Sequence, residues 1–156
     1  MSPVAVSFVP PFRKHLLAAL GLALLVVGCD QVSQPDARHP PSIAALEIMP
    51  DSINVEDLPP DQVQDSTAQV PLAISARATD PDGTVERVVF TIEPASNPRG
   101  TLSGVLAPEQ GNRYRRALGL GIPITRDEVY TIRVFAVDDD SLSSNQGIGR
   151  FRFIGR

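Results

Sequence analysis

The 156-residue chain contains one cysteine, no tryptophan, only two tyrosines and two histidines, and aromatic residues make up 5% of it. Its single lysine is Lys14, and from residue 16 onward every basic side chain is an arginine or His39. Each shortage excludes a class of function. One thiol cannot close an internal disulfide or build a cysteine zinc site. The histidines, His15 and His39, both precede residue 42, so residues 42–156 hold no His, Lys, Cys or Trp. Imidazole general bases, amine and thiol nucleophiles, and histidine metal ligands are therefore missing from that stretch. Paired carboxylates alone can hydrolyse glycosides, but such sites need a cleft lined by sugar-stacking aromatics. We expect no enzyme, and a glycoside hydrolase accessory of the envelope is the weakest of the alternatives.

Long hydrophobic runs are also scarce. The exception is Leu16–Gly28, "LLAALGLALLVVG", 13 residues without a charge behind Arg13 and Lys14. A membrane-spanning helix needs roughly 20 apolar residues, so this one is too short to cross. A basic start, a brief apolar stretch and a small residue at the break read as a secretory signal over residues 1–28. The four residues "Val26-Val27-Gly28-Cys29" at its end resemble the lipobox of bacterial lipoproteins, with Val26 where leucine is commonest. That resemblance implies cleavage before Cys29 and attachment of diacylglycerol to its sulfur. Each buried methylene contributes about 0.8 kcal/mol, so two or three acyl chains hold a protein stably. The expected location is outside the cytoplasm on a membrane. Asp30 resembles the inner-membrane retention signal of enterobacterial lipoproteins, and the choice between inner and outer membrane stays open.

Behind the cysteine, residues 29–41 carry three prolines and little apolar content, which reads as a tether. Without Arg13 and Lys14, 12 arginines face 18 acidic residues, a net charge of −6. Nucleic acid, which requires a basic footprint, is excluded as a partner. An envelope protein or a glycan is the expected partner.

Residues 42–156 form one domain-sized segment in which apolar residues recur with period two, the mark of half-buried strands. Leu72, Ile74, Ala76 and Ala78 share one face, as do Val88, Phe90 and Ile92, and again Tyr130, Ile132, Val134 and Ala136. Tyr114, Leu118 and Leu120 align with Arg116 as the exception, and Phe151 and Phe153 alternate with Arg150 and Arg152. With "SIAALEIM" and the weaker "GTLSGVLA", about seven strands result. "SINV" at residues 52–55 reads as a short continuation of the first strand that switches sheets. The expected fold is all-β, an immunoglobulin-like antiparallel β-sandwich.

The stretches "ARATDPDGTVERVVFTI" and "DEVYTIRVFAVDDDSLSSN" resemble bacterial immunoglobulin-like, fibronectin type III, PKD and cadherin-like domains. The resemblance implies that Tyr130 forms a tyrosine corner, its hydroxyl bonding an upstream backbone group. The cysteine pair and tryptophan of antibody domains are absent. In such a sandwich the turn with Asp80 and Asp82 and the loop with Asp138, Asp139 and Asp140 lie at one end. Glu109 and the incoming tether belong there too. Five carboxylates are either ordinary turn acceptors or a calcium site of oxygen ligands, and similarity to cadherin-like modules points to calcium. Arg113, Arg115, Arg116, Arg150 and Arg152 are expected to form a solvated face paired with acids. The chain reads as a non-catalytic, lipid-anchored envelope protein for adhesion, protein binding or spacing. The alternative is a carbohydrate-binding surface lipoprotein, which the missing tryptophan disfavours. Intact mass of the protein from native membranes is expected to show a chain beginning at an acylated Cys29, and Cys29→Ser should release it or block its maturation. An unmodified Cys29 would refute the anchor.

Overall fold

The computed structural model describes residues 38–156. The expected signal peptide, Cys29 and the first part of the expected tether lie outside the described residues. Nine strands follow in order: β1 (Ser42–Met49), β2 (Ser52–Asn54), β3 (Val63–Gln64), β4 (Thr67–Thr79) and β5 (Val85–Pro94), then β6 (Leu102–Pro108), β7 (Arg113–Pro123), β8 (Glu128–Asp138) and β9 (Gly147–Ile154). They build an immunoglobulin-like β-sandwich. One sheet runs β1-β4-β7, with β3 folded back on β4. The other runs β2-β9-β8-β5-β6. Every pairing is antiparallel except β2 with β9, which is parallel.

The alternation sets which side chains meet. In β4, Ala68, Val70, Leu72, Ile74, Ala76 and Ala78 are all buried. Opposite them stand Val88, Phe90 and Ile92 of β5, Ile132, Val134 and Ala136 of β8, and Phe151 and Phe153 of β9, joined in one core. Fully burying side chains of this size contributes about 1.5–3 kcal/mol each. Tyr130 packs its ring 5.9 Å from that of Phe151, tilted by 31°. It occupies the expected position, but among the described residues no hydrogen bond reaches its hydroxyl. Burial, then the charge of Glu128, pushes that hydroxyl up to about 12.

Two strands change sheets. The first was legible: β1 pairs with β4, the chain crosses at Pro50, and β2 joins β9. The second was not. The segment "GTLSGVLA", read as a plain strand at residues 100–107, is β6, which pairs with β5 from Leu102 to Leu106 and meets β7 only at Ala107 and Pro108. It lies mainly in the second sheet, because Leu106 and Gly104 stand in register with Val88 and Phe90.

The domain also begins ahead of Ser42. Arg38 pairs with Asp140, His39 bonds Asp82, and Pro41 is fully buried. Residues 38–41 thus belong to the folded unit rather than to the tether.

On the inner face of β9, Gly147 and Gly149 leave space that β1 fills. A methyl group on Gly149 would collide with Cδ1 of Ile48 and stand 3.4 Å from Cδ2 of Leu46. The β1 strand can close over β9 only because those positions have no side chain. Gly149→Val should displace Ile48 and destabilise the fold by about 1–3 kcal/mol. Chemical denaturation checks this, and an unchanged midpoint would show that β1 does not seal the core there.

Candidate functional site

The five aspartates do gather at one pole, where β4 turns into β5, β8 turns into β9, and the chain arrives at Arg38. Their oxygens are engaged by the protein itself. Asp80 Oδ1 accepts from the amides of Asp82 at 3.2 Å and Gly83 at 3.1 Å. Asp139 Oδ1 accepts from the Thr84 amide at 3.2 Å, tying the β8–β9 loop to the β4–β5 turn. Asp138 is 2% exposed and accepts from the Leu142 amide at 2.7 Å. Asp82 Oδ2 accepts from the His39 amide at 2.9 Å and lies 3.0 Å from His39 Nδ1. Asp140 pairs with Arg38 at 3.1 Å.

These bonds shift protonation. The His39 side-chain contact, then its amide, holds Asp82 below its ordinary value. The Thr84 amide does the same for Asp139. A methyl group on Gly83 would stand 2.7 Å from Asp139 Oδ1 and 3.1 Å from Asp80 Oδ2, so these two carboxylates converge over the glycine. Glu109 is drawn aside by Arg113, 3.8 Å away. Among the described residues no three His, Cys, Asp or Glu side chains form a group able to hold a metal ion. Four of the five aspartates at this pole accept from backbone amides, and the nearby basic side chains are Arg38 and His39.

A buried carboxylate at the opposite pole was not singled out from the sequence. Glu128, 5% exposed, begins β8 on the same face as Tyr130 and Ile132. Ser96, in the loop after β5, donates its amide to Oε1 at 3.1 Å and its hydroxyl to Oε2. The Val129 amide and Arg126 complete the environment at 3.3 and 3.6 Å. Burial alone would raise this carboxyl, but the Ser96 donors, with Val129 and Arg126, outweigh it and hold it below its ordinary value. The signal was present: a glutamate at an inward position of an alternating strand must have partners.

The arginines do not form one paired face. Arg113 bonds Glu47 at 3.0 Å. Arg115 and Arg116 are exposed on β7, and Arg150 and Arg152 on β9 of the other sheet, without acidic partners among the described residues. The reason is parity: Arg113 and Arg115 alternate with the inward Tyr114, whereas Arg116 shares its register with inward residues.

The outer face of the second sheet is mixed. Val105, Val89 and Phe135 stand side by side across β6, β5 and β8. Arg133 and Ile148 follow in the next row of pairs, with Val105 51% and Ile148 59% exposed.

No family model matches the chain, and no curated protein matches it. Among solved structures it is similar to the CARDB domain of the PF1109 protein from Pyrococcus furiosus, determined in complex with di-metal ions. The two share 13% identity over 74% of this chain and 96% of that one, with a TM-score of 0.36.

The Glu128 clamp generates an acid response. A carboxylate held below its ordinary value stabilises the fold above the unfolded value, 4.5 for glutamate, and that contribution is lost as pH falls. Glu128→Gln should cost about 1–3 kcal/mol at neutral pH and flatten the decline in melting temperature below pH 5. Parallel declines in both proteins would remove Glu128 from this role.

Proposed function

We propose that this chain is a non-catalytic binding module of the cell envelope, held to a membrane by a lipid on Cys29 and displaying its sandwich to a protein partner. The observation that carries the reading is the outer face of the second sheet. An apolar row of Val105, Val89 and Phe135 there lies beside Arg133 and Ile148. Exposed apolar side chains clustered rather than scattered mark contact surfaces. Aromatic and arginine side chains are enriched in such surfaces, while lysine and acidic residues are depleted. This face has that composition.

The polar chemistry elsewhere supports the same reading. The acid pole spends its carboxylates on its own loops, and Glu128 spends its charge on Ser96. Neither arrangement leaves a pair of titratable groups facing an open cleft, which acid–base catalysis needs. Lipid anchoring fits a binding role, since it holds the module at a membrane without consuming any surface of the sandwich.

The test is capture from detergent-solubilised envelope with the full-length chain and a Val105→Glu, Ile148→Glu double variant. Both positions are exposed on the outer face, so the variant should fold within about 0.5 kcal/mol of the parent per site. The parent should retain a protein that the variant does not. Identical captures, or none by either protein, would defeat the assignment of this face.

A further inference from the structure

The sandwich is closed by a strand along one side and left open along the other. Where β6 leaves β7 after Ala107 and Arg115, the two sheets part and a cleft of about 420 Å³ opens between them. Phe90, Leu102, Gly104 and Leu118 line it, with Arg116 among them and no acidic residue. Leu102 faces inward, in register with the buried Ile92, yet it is 42% exposed. Gly104 has no side chain there, and a methyl group would stand 2.8 Å from the Phe90 ring. The apolar interior therefore reaches solvent along this seam.

The backbone beside the cleft is unpaired. The bonds from Ala78 N to Asn112 O and from Ile124 N to Ser66 O bracket the β4–β7 pairing, which runs without a slip between them. Even-numbered residues of β7 consequently bond β4, and odd-numbered ones aim N–H and C=O at the other edge. Arg115 meets Ala107 there. Beyond it, Ala117, Gly119 and Gly121 have no strand opposite them among the described residues. Proteins blunt such edges with bulges. The outer strand β1 has one, slipping between Ala44 and Glu47 with Ala45 at φ 51°, whereas β7 has none.

We propose that the seam between β6 and β7 receives an extended segment of a partner protein as an added strand on β7. Its alternate apolar side chains enter the cleft beside Arg116, and the acidic side chains between them lie on the outward face, where the nearest meets Arg115. Charge decides the chemistry. The seam carries two arginines without acidic partners among the described residues, on a chain whose net charge is −4. An acidic, alternating segment complements it, and strand addition provides the main-chain bonds. From Ala117 to Pro123 the edge accommodates a segment of roughly 23 Å at about 3.3 Å per residue. The inference rests on the binding-module reading and its cleft borders Val105, but the β7 edge and Arg115 lie outside the outer face of the second sheet, so Ala117→Pro and Arg115→Glu fail separately from the test of that face.

The test uses the full-length chain in detergent and a fluorescein-labelled, end-blocked octapeptide of alternating valine and glutamate, against the same peptide with lysine for glutamate. The glutamate peptide should bind saturably and at least tenfold more tightly than the lysine peptide. Ala117→Pro removes an edge N–H that bonds nothing within the sheet, so it should weaken binding at least tenfold at an unchanged melting temperature. Arg115→Glu should reverse the preference. If Ala117→Pro does not fold, Arg115→Glu decides alone, and an unchanged preference overturns the proposal. So does absence of saturable binding, equal binding by Ala117→Pro, or self-association of the chain that Ala117→Pro abolishes. Loss of peptide binding with capture by the Val105 and Ile148 face intact would overturn this inference alone.

Discussion

The dry contact between the inner faces of β4 and β8 is the constraint on which the remaining structure depends. Val70 and Ile74 on one side, and Ile132, Val134 and Ala136 on the other, are wholly removed from water. Packing two sheets face to face about 10 Å apart fixes their register, because slipping a strand by one residue would turn its apolar set outward. Once those faces are set, loops can lie only at the two poles, and the sides must be closed by strands that change sheets. The β1–β2 crossing closes one side. On the other, β6 runs along β5 and reaches β7 only at its end, at Ala107 and Pro108. Polar groups follow the same logic: the Ser96–Glu128 clamp and the aspartate turns hold loops that the core does not reach.

How much of this was visible beforehand follows from which signals are local. Alternation is local, and it placed the inward faces of β4, β5, β8 and β9, and the β2 switch. Pairing partners are not local. "GTLSGVLA" contains two glycines and a weak alternation, so nothing in it distinguishes a strand bonded to β5 from one bonded to β7. The informative signals were the exceptions. Arg116 interrupts an apolar face because that position opens onto the seam, and Glu128 interrupts another because Ser96 waits for it. The gathering of the acidic turns at one pole was readable from fold topology. The engagement of those turns by Arg38 and His39 was not, since it depends on where the incoming chain lies. Gly147 and Gly149 gave no warning either, as a glycine's role shows only when the neighbour that needs its space is in view.

Charge is distributed with a consistent sense across the domain. Acidic side chains are concentrated in turns, where backbone amides and the side chains of Arg38 and His39 use them. Arg115 and Arg116 of β7 and Arg150 and Arg152 of β9 stand with their charges unspent within the described residues. Exposed ion pairs such as Arg38–Asp140 contribute little to stability, so their main effect is to tie residue 38 to the pole.

That tie, with the parallel pairing of β2 and β9, has a mechanical consequence. Residue 38 lies at the acid pole, whereas Ile154 ends β9 at the other, beside Asn54. Tension applied between residues 38 and 156 would run along the strands rather than across them. It would load the six β1–β4 pairs and the three β2–β9 pairs in shear. The bonds of each patch must then yield together instead of opening one at a time. A module anchored on one side and gripped on the other is, by this geometry, built to bear a pull.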